Sequence, residues 1–172
     1  MVDDVTKAVQ DLMVEVERVR DAFLDAVLRP DPAAAHALLA RDATLDVDPV
    51  GTGASGAEPI RRFVADRVAP GLPADLTVRR HSRTGDRWRV VDEARVSFTH
   101  GREMPWLLPG IAATGRAVEV DLVTVVVVRR ALVSRARLVW DLLSLADQLG
   151  IDPGALPRRR VGPRHDEASR GA

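Results

Sequence analysis

The chain has 172 residues, 46% of them apolar, and this length supports one hydrophobic core rather than two independent domains. Its 25 basic and 25 acidic residues cancel to a formal net charge of zero, which disfavours polyanionic partners such as nucleic acid or an anionic membrane. Because cysteine is absent, disulfides, thiolate nucleophiles and zinc–thiolate sites are excluded.

The amino terminus has neither the basic nor the apolar segment of a secretion signal. The longest apolar run, residues 122–128, is too short to span a membrane. We therefore expect a cytoplasmic protein.

Two helices are predicted at the start of the chain. Apolar residues recur every three or four positions over residues 5–27, which is typical of one long amphipathic helix ending at Pro30. Asp31 and Pro32 then supply an N-cap and a first-turn proline for a second helix through Leu39.

A short strand and a third helix follow. Residues 44–48 alternate polar and apolar side chains, and Ser55 and Glu58 have the spacing of a capping box ahead of the helix. The turn at residues 51–56 matches the dinucleotide pattern G-x-G-x-x-G, but a Rossmann unit also needs a parallel partner strand. We interpret the segment as a flexible turn, with nucleotide binding as the less favoured alternative.

The second half is predicted to be a sheet. The strand segment at residues 123–128 is apolar on both of its faces, so both faces should be covered. We expect helices to cover one face and another layer, such as a second subunit, to cover the other. A closing helix over residues 141–149 ends at Gly150. Four segments have strand patterns, and their short connections allow antiparallel hairpins: residues 76–83, 88–100, 116–129 and 132–140.

This order of elements predicts an α+β fold. We expect a cone-like, curved antiparallel sheet with the N-terminal helices packed in its concave face, enclosing a pocket. The domain is predicted over residues 1–156, and the arginine-rich residues 157–172 are predicted to be a disordered tail.

One strand face carries candidate site residues. Asp92, Ala94, Val96, Phe98 and His100 alternate along a strand and so share a face. The mixture of apolar groups with a carboxylate and an imidazole indicates the wall of a small-molecule pocket. The alternative is a core face whose polar residues lie at its two solvated ends.

Asp141 stands between Trp140 and the last helix. Helix capping explains an aspartate there completely. The alternative is an acid or base group whose pKa is raised at the mouth of an apolar cavity.

An apolar loop and the histidines complete the set of candidates. The loop at residues 104–111 should cover either the pocket, as a lid, or a dimer partner. His36 and His81 have no second ligand at a metal-binding spacing, and His165 lies in the predicted tail. We expect neither a metal nor another cofactor.

Residues 91–150 resemble the SnoaL-like polyketide cyclases of the nuclear-transport-factor-2-like superfamily, and the helical layout extends the resemblance to about residues 5–156. The shared motifs are Val-Asp-Glu at 91–93, Phe-Thr-His at 98–100, Met-x-Trp-x-Leu-Pro-Gly at 104–110, Thr-Gly-Arg at 114–116 and Trp-Asp at 140–141.

The resemblance implies a cofactor-free cyclase or isomerase that acts by general acid/base catalysis on an apolar carbonyl compound. Asp141 would be the acid or base, with His100 as a pocket partner and Asp92 bonded to one of these groups. Apolar contacts to the substrate would come from Trp106, Phe98, Trp140 and Val96. A homodimer is expected as well.

The chain also departs from the family pattern. The glutamate–histidine pair expected shortly before Trp140 is missing, and the chain has no tyrosine. In the related epoxide-hydrolase pattern, Ser97 of Arg95-Val96-Ser97 stands where a second carboxylate is needed. The alternative function is therefore a non-catalytic ligand-binding or dimerisation module of the same fold.

Overall fold

The computed structural model describes residues 2–156. The first half of this part is mainly helical, with one strand hairpin between its helices. In chain order the elements are α1 (Val2–Leu28), α2 (Pro32–Ala37), β1 (Leu39–Asp48), β2 (Thr52–Ser55), α3 (Ala57–Phe63), a π-helical segment (Val64–Val68) and the short α4 (Ala69–Gly71).

The second half supplies the rest of a six-stranded sheet with the strand order β2-β1-β6-β5-β4-β3. Neighbouring strands are antiparallel, as expected, except that β1 and β6 are parallel, which the long connection between them permits. The elements are β3 (Thr77–Gly85), β4 (Arg89–Thr99), β5 (Ala117–Arg129), β6 (Leu132–Trp140), α5 (Leu142–Leu149) and a 3-10 turn (Pro153–Ala155).

Two predictions about helix ends were wrong. The second helix does not reach Leu39, which is the first residue of β1. The capping box does not form, because Ser55 belongs to β2 and the N-cap of α3 is Gly56, with no side-chain cap. Glu58 instead accepts hydrogen bonds of 2.7 and 2.8 Å from Arg61.

The core lies between the helices and the inner, concave face of the curved sheet, which confirms the predicted α+β fold. The α1 side chains that face this layer follow the predicted helical spacing, and alternate residues of β5 face them. The buried residues of these two elements include Val16, Val19, Phe23 and Val27 of α1 and Val118, Val120, Leu122, Thr124, Val126 and Val128 of β5.

The predicted tail, residues 157–172, lies outside the described residues. Among the helices of residues 2–156, none combines the length and the apolar character that crossing a membrane requires.

Candidate functional site

A pocket of about 430 Å³ lies between the C-terminal half of α1 and the inner face of the sheet, a volume in the range of small-molecule sites. About half of the residues in its walls are aliphatic. They come from α1, from the start of β3 and from the middle of β4, β5 and β6: Leu24, Leu28, Leu76, Val78, Ala94, Leu122 and Leu138.

One end of the pocket is polar. Arg20 and Asp21 of α1 and Thr124 of β5 line it, and Asp25 and Arg29 line the pocket further along the same helix. The Nη2 group of Arg20 donates to Thr124 Oγ1 at 2.7 Å and to Asp92 Oδ2 at 2.6 Å. Asp92 and Thr124 are register partners on β4 and β5, so α1 crosses the sheet where these two side chains lie side by side.

Asp92 is the centre of an ion-pair network. It is 1% exposed, and Arg83 of β3 donates to its two oxygens from Nε at 2.7 Å and Nη2 at 2.9 Å. Arg83 also pairs with Glu17 and Asp21 of α1. Because a buried carboxylate is costly without charged partners, these bonds account for the burial of Asp92 and leave its oxygens committed to two guanidinium groups.

The network shifts the pKa values of its members. Hydrogen bonds to Asp92 and then to Asp21 raise the pKa of Arg83 above its ordinary value. Burial alone would raise the pKa of Asp21, but hydrogen bonds from Arg83 and Arg20 outweigh it and lower that pKa. Burial lowers the pKa of Arg20, and the charge of Asp92 offsets this only in part. All three groups are charged at neutral pH.

His100 lies far from this network. It follows the C-terminal end of β4, eight residues beyond Asp92, which is roughly 26 Å along an extended strand. Its side chain is fully buried, with Nδ1 at 3.2 Å from Thr114 Oγ1. Burial lowers its pKa, so the imidazole is neutral at neutral pH.

Side chains fill the inner face near His100. The rings of Trp106 and Trp140 meet edge to face with centroids 5.6 Å apart, and Phe98 and Val96 are buried in the same core. The loop at residues 104–111 contributes to this filling, and Thr52 Oγ1 donates to the carbonyl oxygen of Trp106. None of these aromatic residues lines the pocket beside α1.

Asp141 is exposed, and its Oδ1 accepts a hydrogen bond of 3.1 Å from the amide of Ser144 as the N-cap of α5. The structure therefore does not bring Asp141, His100 and Asp92 together. Only Asp92 is connected to the pocket, through Arg20. Within residues 2–156, no group of three or more acidic or histidine side chains could hold a metal ion.

The polar pocket residues Arg20 and Thr124 were not among the sequence candidates. The sequence does carry a signal for each. Arg20 is four residues from both Val16 and Leu24, on the flank of the buried stripe of α1. Thr124 is the one hydroxyl in an otherwise apolar run, residues 122–128.

Comparison with known proteins identifies the family. A family model described as SnoaL-like domain matches residues 20–136, about two thirds of the chain. The chain belongs to this family. No curated protein matches this SnoaL-like domain.

Solved structures match it in fold at low sequence identity. A protein from Jannaschia sp. CCS1 named as a SnoaL-like polyketide cyclase is 20% identical, with a TM-score of 0.67 over 83% of this chain and 96% of that one. An LEH-like epoxide hydrolase from M. tuberculosis is 17% identical, with a TM-score of 0.59 over 80% and 90%. A ketosteroid isomerase-like protein from Catenulispora acidiphila, in complex with trimethylamine, is 19% identical, with a TM-score of 0.61 over 78% and 93%.

The lowered pKa of His100 predicts a pH-dependent stability. The unfolded chain binds a proton near pH 6.5 that the folded chain accepts only at lower pH, so the free energy of unfolding falls as pH drops below 6.5. The slope approaches about 1.4 kcal/mol per pH unit at most. Urea unfolding of the wild type and of His100→Gln between pH 7 and 5 measures this, and the variant should lose that part of the slope. An identical pH dependence in both proteins would contradict the prediction.

Proposed function

We propose that this SnoaL-like domain binds an uncharged, mainly apolar small molecule that carries a carbonyl or similar acceptor oxygen. The observation that carries the proposal is the pocket between α1 and the sheet, in which aliphatic side chains of both layers lie beside the fixed donors of Arg20 and Thr124. Such a combination of apolar walls with a few fixed polar groups is typical of small-molecule sites.

The available donors support an acceptor oxygen on the ligand. Thr124 Oγ1 already accepts a hydrogen bond from Arg20, so its own O–H group is the donor that remains for a ligand. The guanidinium of Arg20 is held by Asp92, Asp21 and Thr124 and lines the pocket in a fixed position. Donors that are already positioned reduce the entropy lost on binding.

The charges around the polar end disfavour an anionic ligand. The cations Arg20 and Arg83 form ion pairs with three carboxylates, those of Glu17, Asp21 and Asp92. This cluster carries no excess positive charge to compensate an anionic ligand that leaves water.

Matched probes test the proposal. 2-Octanone and 2-methyl-1-octene have nearly the same shape and differ in the acceptor oxygen, so the ketone should bind about tenfold more tightly through one hydrogen bond. Thr124→Val should remove that preference, whereas Thr114→Val, at the hydroxyl beside His100, should keep it. Isothermal titration calorimetry gives both affinities. Absence of binding by either probe, or equal binding by the wild type, would refute the proposal.

The second candidate function is a cofactor-free cyclase or isomerase acting by general acid/base catalysis. Membership of the SnoaL-like family favours it, and one fold neighbour is named as a polyketide cyclase. In this candidate, Asp141 would be the acid or base, with His100 and Asp92 as the further polar groups. The fold alone does not determine which candidate is correct.

Asp141→Asn separates the two candidate functions. For a binding protein we expect unchanged ketone affinity and a stability change of about 1 kcal/mol or less, because asparagine is also a good N-cap. Asp147→Asn, at an exposed aspartate of the same helix, is the matched control. Turnover of an apolar carbonyl compound that disappears in Asp141→Asn and persists in Asp147→Asn would establish catalysis instead.

We also propose a homodimer formed through the outer face of the sheet. Five valines meet in the middle of this face and are half-buried in the single chain, with Val91 paired to Val125 and Val123 paired to Val139 in register. The fifth, Val127, extends the patch along β5. Ion pairs flank the patch, and a two-fold contact would bury the valines of both copies against each other.

Val125→Arg should place a guanidinium group, with its five donors unpaired and its charge uncompensated, in this contact. The protein should therefore shift from dimer to monomer. Leu143→Arg, at an exposed leucine of α5, introduces the same side chain elsewhere and should leave the mass unchanged. Sedimentation equilibrium gives the masses. A monomeric wild type would contradict the dimer without affecting the ligand proposal.

A further inference from the structure

A cluster of exposed arginines surrounds a tryptophan at one end of the sheet. We call it the basic corner, and it consists of Arg87, Trp88, Arg89, Arg129 and Arg130. The β3–β4 and β5–β6 hairpins bring these residues together, since the start of β4 pairs with the end of β5. Within residues 2–156, none of the four guanidinium groups forms an ion pair with a carboxylate.

Cation–π contacts hold two of the arginine side chains of the basic corner in place. The guanidinium carbons of Arg129 and Arg87 lie 4.4 and 5.1 Å from the centroid of the Trp88 ring, and that residue stays 39% exposed. Asp86, in the turn before Arg87, accepts hydrogen bonds from the backbone amides at residues 88 and 89 through its Oδ1. The result is a positive surface with an apolar centre.

The backbone supports a role for this corner. Arg130 and Ala131 occupy the β5–β6 turn with φ of 51° and 58°, a conformation that such turns normally assign to glycine or asparagine. Non-glycine residues in this region are strained, and strain of this kind persists mainly where surrounding structure or function requires it. This turn places Arg130 beside Arg129 at the tip of the hairpin.

The N-terminal part of α1 is an uncovered surface of opposite character. We call residues 4–15 the acidic helix end, because Asp4, Asp11 and Glu15 lie there against a single base, Lys7. None of these twelve residues is buried, and the apolar side chains among them include Val5, Leu12 and Val14 with exposures of 63%, 41% and 68%. A helical segment of this length is marginal in water without packing.

Both surfaces lie at the same end of the molecule. Glu17 of α1 pairs with Arg83, which is two residues before the end of β3 and so close to the β3–β4 turn. Asp25 and Arg29, further along α1, line the pocket with residues 76–78 at the opposite end of β3. The helix therefore runs toward the hairpins in its N-terminal direction and carries the acidic helix end past Glu17 toward the basic corner's end of the sheet.

We propose that the acidic helix end of one copy docks on the basic corner of a second copy, and that a two-fold axis makes the contact reciprocal. The carboxylates of the helix end face four arginines without carboxylate partners, and its apolar side chains cover Trp88. One symmetric contact satisfies both surfaces of both copies. This contact adjoins the outer sheet face, because Arg89 of the basic corner is the register partner of Val127, but it uses the arginines and Trp88 and does not depend on the pocket having a ligand.

Cross-linking between different copies tests the contact directly, because the natural chain has no cysteine. An Asp11→Cys chain is mixed with an Arg87→Cys chain and treated with a short bismaleimide. We expect a covalent dimer in this mixture well above that from Asp11→Cys mixed with Arg67→Cys, an exposed control on the π-helical segment. Equal yields in the two mixtures would overturn the proposal.

Charge reversal tests the chemistry of the contact. In a Val125→Arg background, which removes the outer-face dimer, the contact should still produce dimers at low ionic strength and fewer at high salt. Arg87→Glu with Arg129→Glu should weaken this association at least about tenfold, as should Asp11→Arg with Glu15→Arg. Combining all four changes should restore it.

The control for these variants is Arg67→Glu with Arg102→Glu, which makes the same change in net charge at exposed arginines elsewhere. It should leave the association unchanged. The proposal fails if the Val125→Arg protein is monomeric at low salt, if the corner variants associate like the control, or if the combined variant does not recover. These outcomes leave the pocket and the outer-face dimer untouched, so each proposal is judged separately.

Discussion

A carboxylate that is 1% exposed, that of Asp92, must be matched by positive charge, and the two arginines that match it come from different elements. Arg20 reaches it from α1 and Arg83 from β3. Removing one partner of such a buried pair typically costs about 3 to 5 kcal/mol, because the remaining charge is left without compensation. The packing of α1 on the sheet therefore depends on this network as well as on the apolar stripe of the helix.

The same network determines the chemistry available in the pocket. Asp92 uses its oxygens to hold Arg20 and Arg83, so it positions other groups rather than facing a ligand itself. Two of the polar groups that line the pocket, the guanidinium of Arg20 and the hydroxyl of Thr124, are bonded to each other and so are fixed before any ligand arrives. The carboxylates that line the pocket, those of Asp21 and Asp25, are themselves paired with arginines. Fixed donors beside paired carboxylates suit recognition of an oxygen atom more than proton transfer, and we therefore propose binding before catalysis.

Local patterns predicted most of the fold, because strand alternation and helical spacing are properties of neighbouring residues. The buried face from Asp92 to His100 follows directly from alternation, and the last helix begins after Asp141 and ends at Gly150 as its capping residues predict. The capping box at Ser55 failed because a strand that pairs with β1 extends over that residue. Its formation depends on a pairing that local spacing does not encode.

The site was harder to predict for a related reason. Arg20 and Asp92 are 72 positions apart, and only the packing of α1 across the sheet joins them. Resemblance to the SnoaL-like family predicted the fold correctly and directed attention to Trp106 and Asp141. In this chain those two residues fill the core and cap a helix, respectively.

The predicted strand face was assigned two alternative roles, pocket wall or core, and along β4 the structure contains both. Ala94 lines the pocket with Leu122, whereas Val96 and Phe98 are buried in the core, toward the end where Trp106 and Trp140 meet. Ala94 has the smallest side chain on this face and lies at the boundary between the two parts. Because a larger side chain at that position would occupy pocket volume, the size of residue 94 is a simple determinant of how much of the cone stays open. In this chain, single positions along one strand thus separate an open pocket from a filled core.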